Sequence, residues 1–150
     1  MKFREIANKL LKALSNYLNQ PPVKLGEDAK ATVSIGRHEF FFSLSECRQY
    51  LLSQSPIAKL PADLTRRTIL RRLAASNYHS SGEGYVLGLE KTTSQIWLTC
   101  RFWLAREKPD SFLKSLAIQV GLAEHWGNVT LALLDPPELQ LLKASHEFSQ

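Results

Sequence analysis

The sequence predicts an α+β fold with a mainly antiparallel sheet, in the order α-β-β-β-α-β-β-α. Three features carry that expectation. The first segment, and a later one around Ile69, repeat apolar residues every three or four positions, the spacing of one helix face. The intervening stretches alternate with a period of two and are punctuated by glycine or polar turns. Finally, the strands fall into hairpin groups with helices between the groups, which is the pattern of α+β and not of repeated βαβ units.

In the first helix, Phe3, Ile6, Ala7, Leu10, Leu11, Ala13, Leu14, Tyr17 and Leu18 form a stripe, with Lys2, Lys9, Lys12 and Asn16 opposite. Pro21-Pro22 is expected to stop it, because proline cannot donate to the helix and disfavours helix in the residue before it. Ala31-Thr32-Val33-Ser34-Ile35 then alternates, Gly36-Arg37 turns, and His38 to Leu44 is aromatic-rich, together a hairpin. A short third strand is placed at Arg48 to Leu52, followed by a loop over Ser53 to Pro61 on account of its two prolines.

Asp63 is a suitable N-cap for a helix from Leu64 to about Tyr78, with Ile69, Leu70, Leu73 and Ala74 on one face. A Gly/Ser turn leads into Tyr85 to Glu90, a polar turn follows, and Gln95 to Leu104 completes a second hairpin. The near-continuous apolar character of that last strand predicts an interior position in the sheet. Pro109-Asp110 opens a long helix to about Leu134, and Asp135-Pro136-Pro137 ends it. The expected organisation is one domain over 1–134 with a tail over 135–150 that adds at most a short helix.

The chain has 150 residues, 44% hydrophobic and 22% charged, enough for a sizeable core and balanced like a globular protein. No apolar run approaches the roughly 18–20 residues that span a bilayer. The charged start, Met1-Lys2-Phe3-Arg4-Glu5, leads into no signal-peptide h-region, so the expectation is a protein that stays in the cytoplasm. Cys47 and Cys100 both fall in segments read as strand, lack CxxC spacing, and are expected as reduced thiols serving as small apolar residues.

Catalytic chemistry finds no support. His38, His79, His125 and His146 show no metal-binding spacing, so neither a metal nor a cofactor is expected. Glu124 beside His125 points about 100° away from it on a helix, and both read as surface polar residues. Gly82, Gly84 and Gly88 follow a helix and precede a strand, the wrong order for a phosphate-binding loop. An enzyme is therefore not expected.

The formal charge of +5 raises nucleic acid, an acidic membrane surface or an acidic partner protein as candidate partners, though the excess is moderate and spread along the chain. Arg66, Arg67, Arg71 and Arg72 raise a nucleic-acid-binding helix over 64–78 as the alternative function, but they spread over more than half the helix circumference. Neither a nucleic-acid partner nor a stable membrane insertion is expected.

From the second helix onward an ordered series of features becomes specific. Leu73-Ala74-Ala75-Ser76-Asn77-Tyr78 is followed by Gly82 and Gly84, then Val86-Leu87-Gly88-Leu89-Glu90. Ile96-Trp97-Leu98, Arg101-Phe102, Leu104 and Ala123-Glu124-His125-Trp126 complete it. This series resembles the class I type III secretion chaperones of Gram-negative bacteria, the Tir-chaperone type. The resemblance implies a non-enzymatic protein that holds the unfolded N-terminal segment of a secreted effector in an export-competent state. It implies a homodimer, or a heterodimer with another chaperone, through the middle helix, with Ile69, Leu70, Leu73 and Asn77 as interface positions. The expected effector surface is Val33, Ile35, Phe40 and Phe42 on the strands beside Leu10 and Leu14 of the first helix. The same six residues read equally well as plain core, because a sequence does not say which face of a strand is open. Two departures stand out: such chaperones are mostly acidic and this chain is basic, and its tail is longer than a minimal member's.

Overall fold

The computed structural model describes residues 2–60, 65–79 and 84–134. Among them are α1 (Lys2–Tyr17), β1 (Lys30–Ile35), β2 (His38–Ser45), β3 (Tyr50–Lys59), α2 (Thr65–His79), β4 (Tyr85–Glu90), β5 (Gln95–Trp103) and α3 (Pro109–Leu134). The five strands form one sheet in the order β1-β2-β3-β5-β4, every neighbouring pair antiparallel. The α+β class and the element order are those read from the sequence, and β5 lies inside the sheet as its apolar character required.

The proline pair does not itself terminate α1. Asn19 adopts a left-handed φ of 54°, Asn19 N–H donates to the Asn16 carbonyl, and Gln20 N–H reaches back to the Ser15 carbonyl at 2.9 Å. This is a Schellman cap with asparagine in the position glycine usually takes. Beyond it the 20–26 segment runs along the outer edge of β1. The Gln20 side chain donates to the Ser34 carbonyl at 2.8 Å, and Gly26 N–H donates to the Lys30 carbonyl at 2.9 Å. The β1 edge thus meets the Gln20 side chain at one end and the Gly26 backbone at the other.

Two expectations need correction. The stretch Ser53 to Lys59 is strand, not loop: β3 continues through Pro56 against β5. Two features admit the proline. β2 pairs with β3 only as far as Gln54, so Pro56 sits where β3 has one neighbour, and the register slips by one residue between Pro56 and Ala58. Cys47 is the second correction: it is exposed in the turn between β2 and β3, whereas Cys100 is buried in β5 as expected. The Asp63 cap, the turn at Gly82 and the tail over 135–150 lie outside the described residues.

The helices cover one face of the sheet and bury two apolar clusters. The larger joins Ala7, Leu10, Leu11 and Leu14 of α1 to Val33, Phe40, Phe42, Leu51 and Phe102 of the sheet and to Phe112 and Leu116 of α3. Phe112 meets Phe102 edge-on at 4.7 Å between ring centres. The smaller packs Ile69 and Leu73 of α2 on Leu87, Ile96 and Leu98, with Ala123 of α3. A polar seam lies between them: Ser53 and Ser55 on β3 and Gln119 on α3 are buried, and the Ser53 hydroxyl donates to the Gln119 side-chain carbonyl at 2.8 Å.

Candidate functional site

Among the described residues no group of three or more histidine, cysteine or acidic side chains could hold a metal ion, and no helix is long and apolar enough to cross a membrane.

One apolar surface lies where α1, β1 and α3 meet. Leu14, Tyr17 and Leu18 form one wall, Ile35 an end of β1, and Leu113, Ala117 and Val120 the opposite wall, around a groove of about 240 Å³. Tyr17 stands 73% exposed at its rim, and Ile118 of α3 is 63% exposed.

A charged clasp sits one helical turn beyond Val120. Glu124 of α3 takes Arg37, from the β1–β2 turn, in a two-pronged ion pair, one prong being Nε to Oε1 at 2.9 Å. His38 Nε2 lies 2.8 Å from the same oxygen. An ionised carboxylate only accepts, so that histidine nitrogen carries the proton. The two donors hold the Glu124 carboxyl below the usual range, the Arg37 hydrogen bond being the stronger cause. Gly36 makes this geometry accessible: its φ of 61° opens the tight turn that presents Arg37 and His38 together.

The second surface is the uncovered face of the sheet. The register places Thr32, Phe41, Gln54, Thr99 and Val86 in one row across it, and Pro56, Trp97 and Gly88 in another. Phe41 meets Trp97 edge-on at 6.0 Å, and Trp103 meets Tyr50 likewise at 5.4 Å. Arg101 lies over the Tyr50 ring at 5.3 Å, a cation–π contact. Gly88 leaves a hollow of about 350 Å³ beside Trp97, and the Trp97 indole N–H donates to Glu90 at 3.2 Å.

Of the six residues expected to meet a partner, Leu10, Leu14, Val33, Phe40 and Phe42 are interior to the chain, each no more than 2% exposed. Leu14 and Ile35 reach the lining of the α1–β1–α3 groove. On α2, Ile69 and Leu73 are committed to the smaller cluster and Leu70 is half-buried against it, while the Asn77 side chain lies outside the described residues. Arg67, Arg71 and Arg72 are exposed, and the Arg66 side chain is not among those described. Sequence reasoning overlooked Phe41, Trp103 and the Glu124 clasp. Three consecutive phenylalanines conceal which of them points outward, and an ion pair spanning 87 positions leaves no local signal.

Residues 9–127 match the model of the Tir chaperone protein (CesT) family, and the chain belongs to that family. No curated protein sequence matches it. Among solved structures, it is similar to a chain of the ExsC-ExsE complex, with a TM-score of 0.73 at 21% identity over 85% of this chain and 95% of that one. It is also similar to a chain of the HopA1-SchA chaperone-effector complex, with a TM-score of 0.69 at 15% identity over 85% and 98%. A third likeness is to the complex of the Yersinia pestis type III secretion chaperone SycH with a fragment of YscM2, at 0.60 and 14% over 79% and 98%. The family is one of chaperones, not enzymes, and the nucleic-acid alternative for the basic helix is set aside on that ground.

Proposed function

We propose that this member of the Tir chaperone family binds the unfolded N-terminal segment of a secreted effector in the cytoplasm of a Gram-negative bacterium, keeping it soluble and competent for export. The observation that carries the proposal is the open apolar groove between α1, β1 and α3 in a chain of this family. Its walls come from three different elements, so it is as rigid as the fold, and a disordered segment can pay its ordering cost by burying side chains there at roughly 25 cal/mol per Å². Ile35 makes the contact in this reading, with Leu14 beneath it in the groove lining, while Leu10, Val33, Phe40 and Phe42 lie in the core behind. Solved relatives that are complexes, HopA1-SchA among them, support the same reading.

The functional unit proposed is a homodimer through α2, with a heterodimer with another chaperone as the variant. Leu70, half-buried and next to the exposed Ala74, is the position among Ile69, Leu70, Leu73 and Asn77 that most readily faces a second copy. The single domain over 1–134 would do this work, with the tail over 135–150 as an appendage.

The experiment is capture of an effector segment by Ile35→Asp and Val120→Asp variants. A charge in the groove is expected to abolish capture while leaving the circular dichroism spectrum unchanged, because both positions are only half-buried. Undiminished capture by both folded variants would remove the groove from the account.

A further inference from the structure

A second groove, on the far side of α1, is different in character. It is about 460 Å³ in volume and is lined by Lys9 and Lys12 from one face of the helix and by Lys24 from the 20–26 segment, with Pro22 and Val23 as its apolar part. Glu5 is the one acid in the lining. All three lysines are exposed, and none makes an ion pair among the described residues. The local excess is large: residues 2–24 hold five basic side chains and one acidic one, most of the chain's formal +5.

The wall carrying Lys24 is built, not loose. Val23 N–H donates to the Ser15 hydroxyl at 3.1 Å and Leu25 N–H to the Asn8 side-chain carbonyl at 2.9 Å. Arg4 donates to the Leu25 carbonyl at 3.2 Å and also to that of Gly26. Pinning the residues on both sides leaves Lys24 facing outward. Its own N–H and C=O make no hydrogen bond among the described residues, so an extended chain laid beside it finds backbone partners as well as charge.

We propose that this groove docks an acidic, extended stretch of the protein that the chaperone holds. Charge complementarity selects the occupant. Three lysines with no ion pair among the described residues line one concave surface, where like charges reinforce one another's field, and the short Pro22-Val23 patch suits apolar side chains alternating with the acids. This rests on the reading of the chain as a holder of another protein's segment, and it gives the positive balance of the sequence a location and a use.

The test is fluorescence anisotropy of a labelled synthetic peptide that alternates glutamate and valine, with a lysine–valine peptide and a single-stranded oligonucleotide as competing probes. Binding of the acidic peptide to the full chain is expected, weakening with salt. The variant K9Q/K12Q/K24Q is expected to weaken it about tenfold or more, E5Q to strengthen it, and K59Q/K91Q/K114Q, with the same change in net charge, to leave it nearly unaltered. Equal losses in the two triple variants would reduce the effect to net charge and overturn the proposal. So would equal binding of the lysine–valine peptide, or tighter, groove-dependent binding of the oligonucleotide. If the wild-type chain captures an effector segment but shows no groove-dependent binding of the acidic peptide, the groove fails and the chaperone reading stands. If it binds the acidic peptide through the groove yet captures no effector segment, the chaperone reading fails and the groove stands.

Discussion

At the scale of single residues, the Glu124 clasp and the two thiols make the sharpest statements. Arg37 and His38 hold the Glu124 carboxyl below its ordinary range, so the folded chain keeps it ionised at a pH where the unfolded chain has protonated it. The clasp's contribution is complete above the unfolded carboxylate value of about 4.3 and is lost as pH falls through the depressed folded value. Glu124→Gln is therefore expected to lower the melting temperature slightly at neutral pH and to flatten its decline on the acid side, measured by thermal denaturation across a pH series. The effect at neutrality is small because the ion pair is solvent-screened. The thiols differ in kind: burial, and secondarily the charge of Glu107, push Cys100 up to about 11, while Cys47 is exposed. Titration with a thiol reagent at mildly alkaline pH is expected to label one cysteine in the native chain and both after denaturation. Rapid labelling of both in the native chain would contradict the packing of β5.

Among the elements, α1 shows how pattern becomes stability. Its stripe of Ala7, Leu10, Leu11 and Leu14 is buried against the sheet, so the helix is an integral part of the core and not a detachable arm. Leu11→Ala, at a fully buried site, is expected to cost about 2–5 kcal/mol in chemical denaturation; a cost below about 1 kcal/mol would mean that α1 is not packed as described. The polar seam behaves differently. Ser53 and Gln119 satisfy one another, but the Gln119 amide nitrogen and the Ser55 hydroxyl are buried without a partner among the described residues, so this seam is a weak line between two better-packed halves.

α1 and α2 were legible in the sequence because amphipathic spacing is local, α3 from its Pro109-Asp110 start, and so were β4 and the interior place of β5. β3 was not. Pro56 argues against strand on its own, and only the end of β2 pairing at Gln54 and the neighbouring bulge, both tertiary facts, make it acceptable. The site was half legible for a related reason. Strand alternation separates Phe40 and Phe42 from Phe41 but does not say which side the helices will cover. The structure puts the pair inside and leaves Phe41 on the open face beside Trp97. Ile35 reaches the groove, and the buried Leu14 its lining, only because α3 arrives beside them.

For the whole molecule, the parts divide the work. The sheet and the two clusters give a rigid frame; the α1–β1–α3 groove offers apolar contact and the lysine groove charge, while α2 is the pairing helix only of the proposed dimer. Leu70→Asp is expected to shift a dimer to monomer in sedimentation while leaving the monomer folded, because Leu70 is only half-buried. The central claim is that this chain holds another protein's unfolded N-terminal segment. Its most direct test is co-expression with the first ~100 residues of an effector, a domain-sized length, followed by size-exclusion chromatography with light scattering. The account predicts a stable complex of two copies of this chain with one extended partner. A chain that elutes alone and leaves the effector segment aggregated would contradict it.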